Sequence, residues 1–373
     1  MAHAYTPGLT VSPATVVHKR RILPLKGQVV VAVGDAVGPD TVVARTDLPG
    51  KVHSKNVAAD MGLPPADLKA TLVKPEGSAV KKGELVAEHK SFFGMFGTRS
   101  LAPIDGTLES VSAVTGQAIY REAPIPVEVH AYARGKVVEV IANEGVVVEV
   151  KGALIQGIFG VGGETHGPLQ TIAPGPYAEV KPEMFRPEHK GKVLIGGKHA
   201  SLPAIKAAAA VGARGLVVGG INDDDLRALL GFDLGVAITG SENIGVTLIV
   251  TEGFGPIEMA RKTFDLLKSF EGGEASINGA TQIRAGVIRP ELLIPHEKGA
   301  GAGDAAREAG MMEIGSLLRV IRTPYFGLIG TVAALPPELQ KLESETMVRV
   351  VEVTLKDGRR VTLPRANVEL IED

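Results

Sequence analysis

Three glycine-bearing segments, Gly196-Gly197, Gly219-Gly220 and Glu252-Gly253-Phe254-Gly255, each follow a short run of valine, leucine and isoleucine. Ligands of open parallel sheets bind at the carboxyl ends of the strands, where bare backbone N–H groups at helix starts attract anions. Lys198, His199 and Ser201 follow the first pair and could touch a phosphate. The candidate ligand-binding edge is therefore Gly196, Gly197, Lys198, Ser201, Gly219, Gly220, Glu252 and Gly253. The plainer alternative is that glycine permits tight strand-to-helix turns. Neither G-x-x-x-x-G-K-[ST] nor G-x-G-x-x-G occurs, so a nucleotide site has little support.

Other constellations each carry two readings. Gly160 to Gly167 (GVGGETHG) places Glu164 and His166 on a glycine-rich loop, as two metal ligands or an acid–base pair. No third ligand stands at a recognisable spacing, and a structural loop between strands explains the segment equally. Ser276, Asn278, Thr281, Gln282 and Arg284 form a polar run, SINGATQIR, read as a hairpin turning at Asn278-Gly279 or as a polar site facing a cleft. Phe92, Phe93 and Phe96 crowd into six residues of a chain with 15 aromatics. They plug a barrel end or form a docking patch. His18-Lys19-Arg20-Arg21 is the most basic run and reads as a strand entry or a nucleic-acid arm. No G-x-S-x-G elbow or serine triad is evident. No catalytic residue, metal site or cofactor is expected.

Composition narrows the classes. A formal net charge of −2 gives no global field towards DNA, RNA or an anionic membrane. Cysteine is absent, which excludes disulfides, thiolate zinc sites and cysteine nucleophiles. The first residues lack a basic start followed by an apolar stretch, so no signal peptide is expected. The most apolar stretch, 204–221, is interrupted by Lys206 and Arg214, so no membrane span is expected and the cytoplasm is the expected location.

The elements that would position these residues fall into three groups. Glycines and prolines punctuating valine-rich runs make the first half β-rich. It contains an internal repeat: Val33-Gly34-Asp35-Ala36-Val37 with Val42-Val43-Ala44, and Glu76-Gly77-Ser78-Ala79-Val80 with Leu85-Val86-Ala87. A second turn follows each copy, Leu48 to Val52 in one and Pro103 to Leu108 in the other. Strands are expected over 136–140 and 146–150. Between 190 and 298, strands at 192–195, 214–218 and 246–250 alternate with helices after Ser201, after Asn222 and over 256–270, the pattern of a parallel α/β domain. His296 to Gly310 reads as a flexible linker. Beyond it, 315–322 and 328–332 flank a turn at 323–327, and Lys356-Asp357-Gly358-Arg359 marks a second hairpin.

Two resemblances follow from these residues. Lys74 to Tyr120, through EGSAVKKGELVA and APIDGT, resembles the barrel-sandwich hybrid fold of biotinyl and lipoyl domains, found also in Rnf-complex C subunits. Such carriers present a modified lysine between the two blocks. Here the interval is EHKSFFGMFGTRSL, and Lys90, its one lysine, lacks the family's flanking residues, so modification is not expected. Gly315, Val320, Pro324, Tyr325, Gly327, Gly330 and Val332 resemble the KOW motif of NusG/Spt5 factors, which implies an SH3-like barrel docking on protein or RNA. From Gly315 onward there are eight Lys/Arg and eight Asp/Glu, which favours protein over RNA.

The expected fold class is mixed, multidomain α/β: a β-rich barrel-sandwich hybrid region over 1–180, a parallel α/β domain over 190–298, a linker over 299–310 and a KOW, SH3-like β-barrel over 311–373. The expected function is a non-catalytic adaptor or self-assembling scaffold, with Phe92, Phe93, Phe96, Tyr325 and Phe326 as docking residues. The alternatives are a small-molecule- or anion-binding protein or enzyme using the α/β cleft, and a nucleic-acid binder using the KOW barrel.

Overall fold

The computed structural model describes residues 9–91, 96–231, 239–240, 242–282, 288–297, 312–322, 324–341 and 347–371, with only the backbone at Lys90, Ser91, Phe96 and Lys341. The chain is β-rich, 47% strand and 15% helix, and folds into several sheets. Among the described residues no helix is long and apolar enough to cross a membrane.

The valine-rich runs become the expected parallel strands. Leu169–Thr171, Val193–Ile195, Gly215–Ile221 and Thr247–Phe254 pair side by side, all parallel. Helix α1 (Leu202–Ala210) and helix α2 (Asp223–Leu230) connect the last three, and helix α3 (Arg261–Ser269) follows the last. The first two bury Ala204, Ile205, Ala208 and Leu226 on one face of the sheet; the last buries Phe264 and Leu267 on the other. Ser201 and Asn222 precede their helices as expected, but neither side chain makes the cap hydrogen bond.

This sheet does not stop at the α/β segment. Glu164–Thr171 also pairs antiparallel with Glu274–Asn278, which pairs with Glu291–Pro295, which pairs with the long strand Gly145–Gln156. Val11–Ile22 lies along the other side of Gly145–Gln156. One 13-stranded sheet thus runs from the first described strand to the last strand before residue 298 and crosses the boundary expected near 180–190.

Three local expectations are corrected. Glu164 and His166 stand on a strand rather than a loop, because Glu164–Pro168 ladders with Glu274–Asn278. Asn278-Gly279 is not a two-residue hairpin: Ser276 and Asn278 pair with Leu293 and Glu291, far along the chain. The expected linker begins later than His296, whose ring stacks on Phe270 at 4.8 Å and whose Nε2 lies 2.8 Å from the Pro13 carbonyl. Residues 299–310 lie outside the described residues.

In the β-rich half, the repeat takes physical form. Gly34 and Gly77 both sit at positive φ, +100° and +86°, the turn conformation that glycine adopts freely. The valines after them, Val37 and Val80, are both buried. Leu48 to Val52, expected as a second turn, instead joins the strands Val42–Leu48 and Val52–Asn56. Residues 57–120 enclose their own core around Leu68, Leu108 and Tyr120.

The C-terminal residues form a six-stranded antiparallel sheet. Leu317–Val320 pairs with Ile329–Ala334 and Val368–Leu370, and Met347–Leu355 turns at Gly358 into Arg360–Pro364. Both expected hairpins are present.

Candidate functional site

The candidate ligand edge can be built strand by strand. Gly196 and Gly197 follow Val193–Ile195, and both are buried. Gly219 and Gly220, expected in a turn, lie inside the strand Gly215–Ile221. Their glycines serve close approach. A Cβ on Gly219 would collide with the Ile257 carbonyl, and one on Gly220 with the Gly255 carbonyl. The segment after Thr247–Phe254 therefore folds directly over the strand ends.

Four backbone amides of this edge are spent. Gly196 N–H donates to Val217 (2.8 Å), Lys198 N–H to Ala178 (2.8 Å), Gly219 N–H to Gly197 (2.8 Å) and Gly220 N–H to Lys198 (2.8 Å). The four parallel strands also stand in chain order, so no reversal of strand order between them opens a crevice of the kind that binds nucleotides. His199 is buried with Nε2 lacking a hydrogen-bond partner. Burial holds its pKa below the usual histidine range, against the opposing charges of Asp225 and Glu179. Its imidazole is thus kept neutral. Lys198 and Ser201 are half-buried beside it in sequence.

Glu252 and Gly253 meet the C-terminal sheet. Arg319 donates from Nη2 to Glu252 at 2.9 Å and from Nη1 to Glu369 at 2.8 Å. Arg289 closes on the second oxygen of Glu369 at 2.8 Å. Arg319 is 3% exposed and Glu369 1%. The other oxygen of Glu252 accepts from Ala260 N–H at 3.0 Å. Two guanidinium groups and two carboxylates thus balance one another away from water. A buried charge left without such a partner is strongly destabilising.

Apolar contacts complete the seam. Phe159, Phe254 and Phe326 form a tilted aromatic ladder with centroids 5.7 and 5.9 Å apart. Ile321 is buried in the core of the α1/α2 face, and Phe326 packs against it. A Cβ on Gly253 would stand 2.5 Å from the Gly327 carbonyl oxygen. The space left between Ile158, Thr281, Arg289, Ile321 and Phe326 is about 10 Å³, room for one water at most. Phe326, expected as a docking residue for a partner, is engaged within the chain; Tyr325 lies under Arg359, 5.7 Å from ring centroid to guanidinium carbon.

The remaining candidates separate. Glu164 binds Arg21 through both oxygens (2.6 and 2.7 Å). His166 points Nε2 at Asp40 and Nδ1 at Glu274, so it bridges two carboxylates rather than joining Glu164. Among the described residues no cluster of three or more histidine and carboxylate side chains could hold a metal. The polar run divides: Ser276 is buried, Asn278 caps Ala280 N–H, and Thr281 interlocks with Thr239 and the Gly160 backbone. Gln282 forms an isolated bridge with Ile288, and Arg284 lies outside the described residues. Of the basic run, Lys19 pairs with Glu291 (2.6 Å), Arg21 with Glu164 and His18 with Glu149. Phe92 and Phe93 lie outside the described residues, and Phe96 begins the strand Phe96–Leu101.

Sequence reasoning missed Arg289, Arg319 and Glu369. The signal it could have used is their apolar setting: Arg319 interrupts Leu317-Leu318 and Val320-Ile321, where a cation requires a buried partner. No protein-family model matches the chain, and no curated protein matches its sequence.

Proposed function

We propose that the chain is a non-catalytic adaptor or self-assembling scaffold that docks on protein partners through β modules. The observation that carries this reading is the seal at the parallel sheet. At the carboxyl end of Thr247–Phe254 the C-terminal sheet packs through Arg319, Phe326 and Gly327, and residues 255–259 lie against Gly219 and Gly220. The amides of Gly196, Gly219 and Gly220 are engaged in backbone hydrogen bonds. On this reading the parallel sheet is a platform, and the modules at either end do the recognising.

The finer architecture belongs to the same proposal. On this reading the region over 1–180 contains a barrel-sandwich hybrid, and 311–373 is an SH3-like barrel of the KOW type. The repeated glycine turns support the first, and the paired hairpins support the second. Protein is favoured over RNA as the partner of the C-terminal module. Arg319, Arg359 and Arg360 are each paired with a carboxylate, and Arg365 is spent on the Val350 and Pro336 carbonyls. Four of the eight cations from Gly315 onward are thus engaged within the module, which weakens its hold on phosphates.

A thermal-shift panel of nucleotides, sugar phosphates and organic acids tests the reading. The expected result is no ligand-dependent rise in melting temperature. A rise that is lost on replacing His199 or Lys198 would move the function to the α/β edge and overturn the proposal.

A further inference from the structure

The repeat in the β-rich half extends further than its sequence match, and the order of its parts is unusual. Val29 pairs with Ala44, and Leu72 with Ala87. Val30 N–H donates to Val43 (3.0 Å), and Val73 N–H to Val86 (2.9 Å). Asp35 N–H donates to Ala32 and Ser78 N–H to Pro75, both at 3.2 Å. The Gly38 amide is held by the Thr41 hydroxyl (2.9 Å), and the Lys81 amide by the Glu84 carboxylate (2.8 Å). All these equivalences advance along the chain by the same step, from Gly34 to Gly77.

The partners of these turns advance the other way. Gly34 N–H donates to Val137 (2.8 Å), and Gly77 N–H donates to Leu108 (2.7 Å). Ala36-Val37 ladders with Lys136-Gly135, and Ala79-Val80 with Thr107-Gly106. Ala131 N–H donates to Thr41 (2.9 Å), and Ala102 N–H to Glu84 (2.8 Å). Here the equivalent of a later residue, Val137, is an earlier one, Leu108. A first half that maps forward and a second half that maps backward leave one arrangement: the second copy is nested inside the first.

The hairpins locate the insertion. Val42–Leu48 pairs with Ile125–His130, and Leu85–Ser91 with Phe96–Leu101. The registers coincide rung by rung: Ala44 with Val129 and Ala87 with Ser100; Arg45 with Glu128 and Glu88 with Arg99; Leu48 with Ile125 and Ser91 with Phe96. Both carry the same irregularity one residue earlier, at Val43 and Val86. Bulges are specific features of a strand pair, so their coincidence is not a generic property of hairpins. The last rung of the inner hairpin is Ser91 with Phe96, and beyond the equivalent rung of the outer one, Leu48 with Ile125, stand residues 49–124.

We infer that residues 49–124 are a second, complete copy of the module formed by 28–48 and 125–150, inserted at that module's hairpin tip and folding as a separate head on a two-strand neck. The inner core draws only on residues between Val57 and Tyr120. The outer core gathers Val37, Val43, Tyr132, Val137 and Val148 with Leu293 of the large sheet. The head's ion pairs Lys55–Asp60, Lys69–Glu76, Lys74–Glu84 and Arg121–Glu109 all close within it. At the neck, Glu122 N–H donates to Lys51 (2.9 Å), and Pro49 and Pro124 flank the crossing strands. This inference does not depend on the docking function.

Hydrogen exchange of the full-length chain, read by mass spectrometry, tests it with a matched pair of substitutions at equivalent buried positions, Leu108→Ala and Val137→Ala. Leu108→Ala is expected to speed exchange at least tenfold across 52–121 and to leave 145–156 and 215–221 unchanged. Val137→Ala is expected to speed 29–48 and 125–150 and to spare 52–121. If Leu108→Ala does not accumulate, Leu108→Val serves in its place. The unsubstituted chain in rising urea gives the same reading, with 52–121 losing protection at its own midpoint. Loss of protection in both copies together, at one midpoint and under either substitution, would overturn the inference.

Discussion

Replacing Arg319 by methionine removes the group that joins Glu369 of the C-terminal sheet to Glu252 across the seam. The side chain is 3% exposed, and its two hydrogen bonds are 2.9 and 2.8 Å long. Glu369 keeps Arg289, and Glu252 keeps only the Ala260 amide. Breaking a buried pair by deleting one partner costs about 3–5 kcal/mol, mostly because a charge is left without compensation. Arg319→Met should therefore destabilise the seam by about that amount. Removing the stranded charge as well, in Arg319→Met/Glu252→Gln, should restore at least about 1 kcal/mol relative to the sum of the single changes. Arg319→Lys should fall between, since a compact ammonium does not reproduce the spacing of the two guanidinium nitrogens that reach Glu252 and Glu369. Urea unfolding followed by exchange protection in 317–334 and 247–254 reads the effect at both sides of the seam. A loss below about 1 kcal/mol in Arg319→Met, with the two single changes strictly additive, would refute the claim that this clamp holds the C-terminal sheet in place.

Gly220→Ala should lower stability by about 1–3 kcal/mol, because its methyl group meets the Gly255 carbonyl; calorimetry checks this. Tyr120 is fully buried with no partner for its hydroxyl, and burial, aided by the Asp60 charge, pushes its pKa up to about 12. The unfolded chain releases this proton near pH 10 and the folded chain later, so stability is present below pH 10 and falls by roughly 2 kcal/mol as pH rises to 12. Tyr120→Phe should flatten that part of the alkaline slope and cost little at pH 7, read by urea titrations beside tyrosinate absorbance. His199 is held neutral in the fold, so its contribution is full above its unfolded pKa and declines as pH falls below about 6.5. His199→Phe should make the acid limb shallower, and an unchanged limb would show that His199 is not buried as described.

The parallel strands were legible because Val193–Ile195, Gly215–Val218 and Thr247–Val250 are short apolar runs bounded by glycine. The repeat was legible in its first half, where Gly34 and Gly77 hold the same turn. Its second half was not: the segments Ala131 to Val137 and Ala102 to Leu108 share only the alanine and the glycine, and they recur in reversed order along the chain. Gly219 and Gly220 were misplaced because a glycine required for close approach looks, in sequence, like a glycine required for a turn. The seam was invisible for a different reason. Arg319 and Glu252 stand 67 residues apart, and nothing local to either names the other. Phe326 likewise reads as an exposed turn aromatic until Phe254 is brought against it.

The claim that this protein works by docking is tested most directly by its native mass in solution and in the presence of cell extract. The chain alone is 38.9 kDa. A defined assembly, either several copies of the chain or a fixed-stoichiometry complex with another protein, is the predicted result. A strictly monomeric 38.9 kDa species that acquires no protein partner and carries a bound small molecule would contradict it.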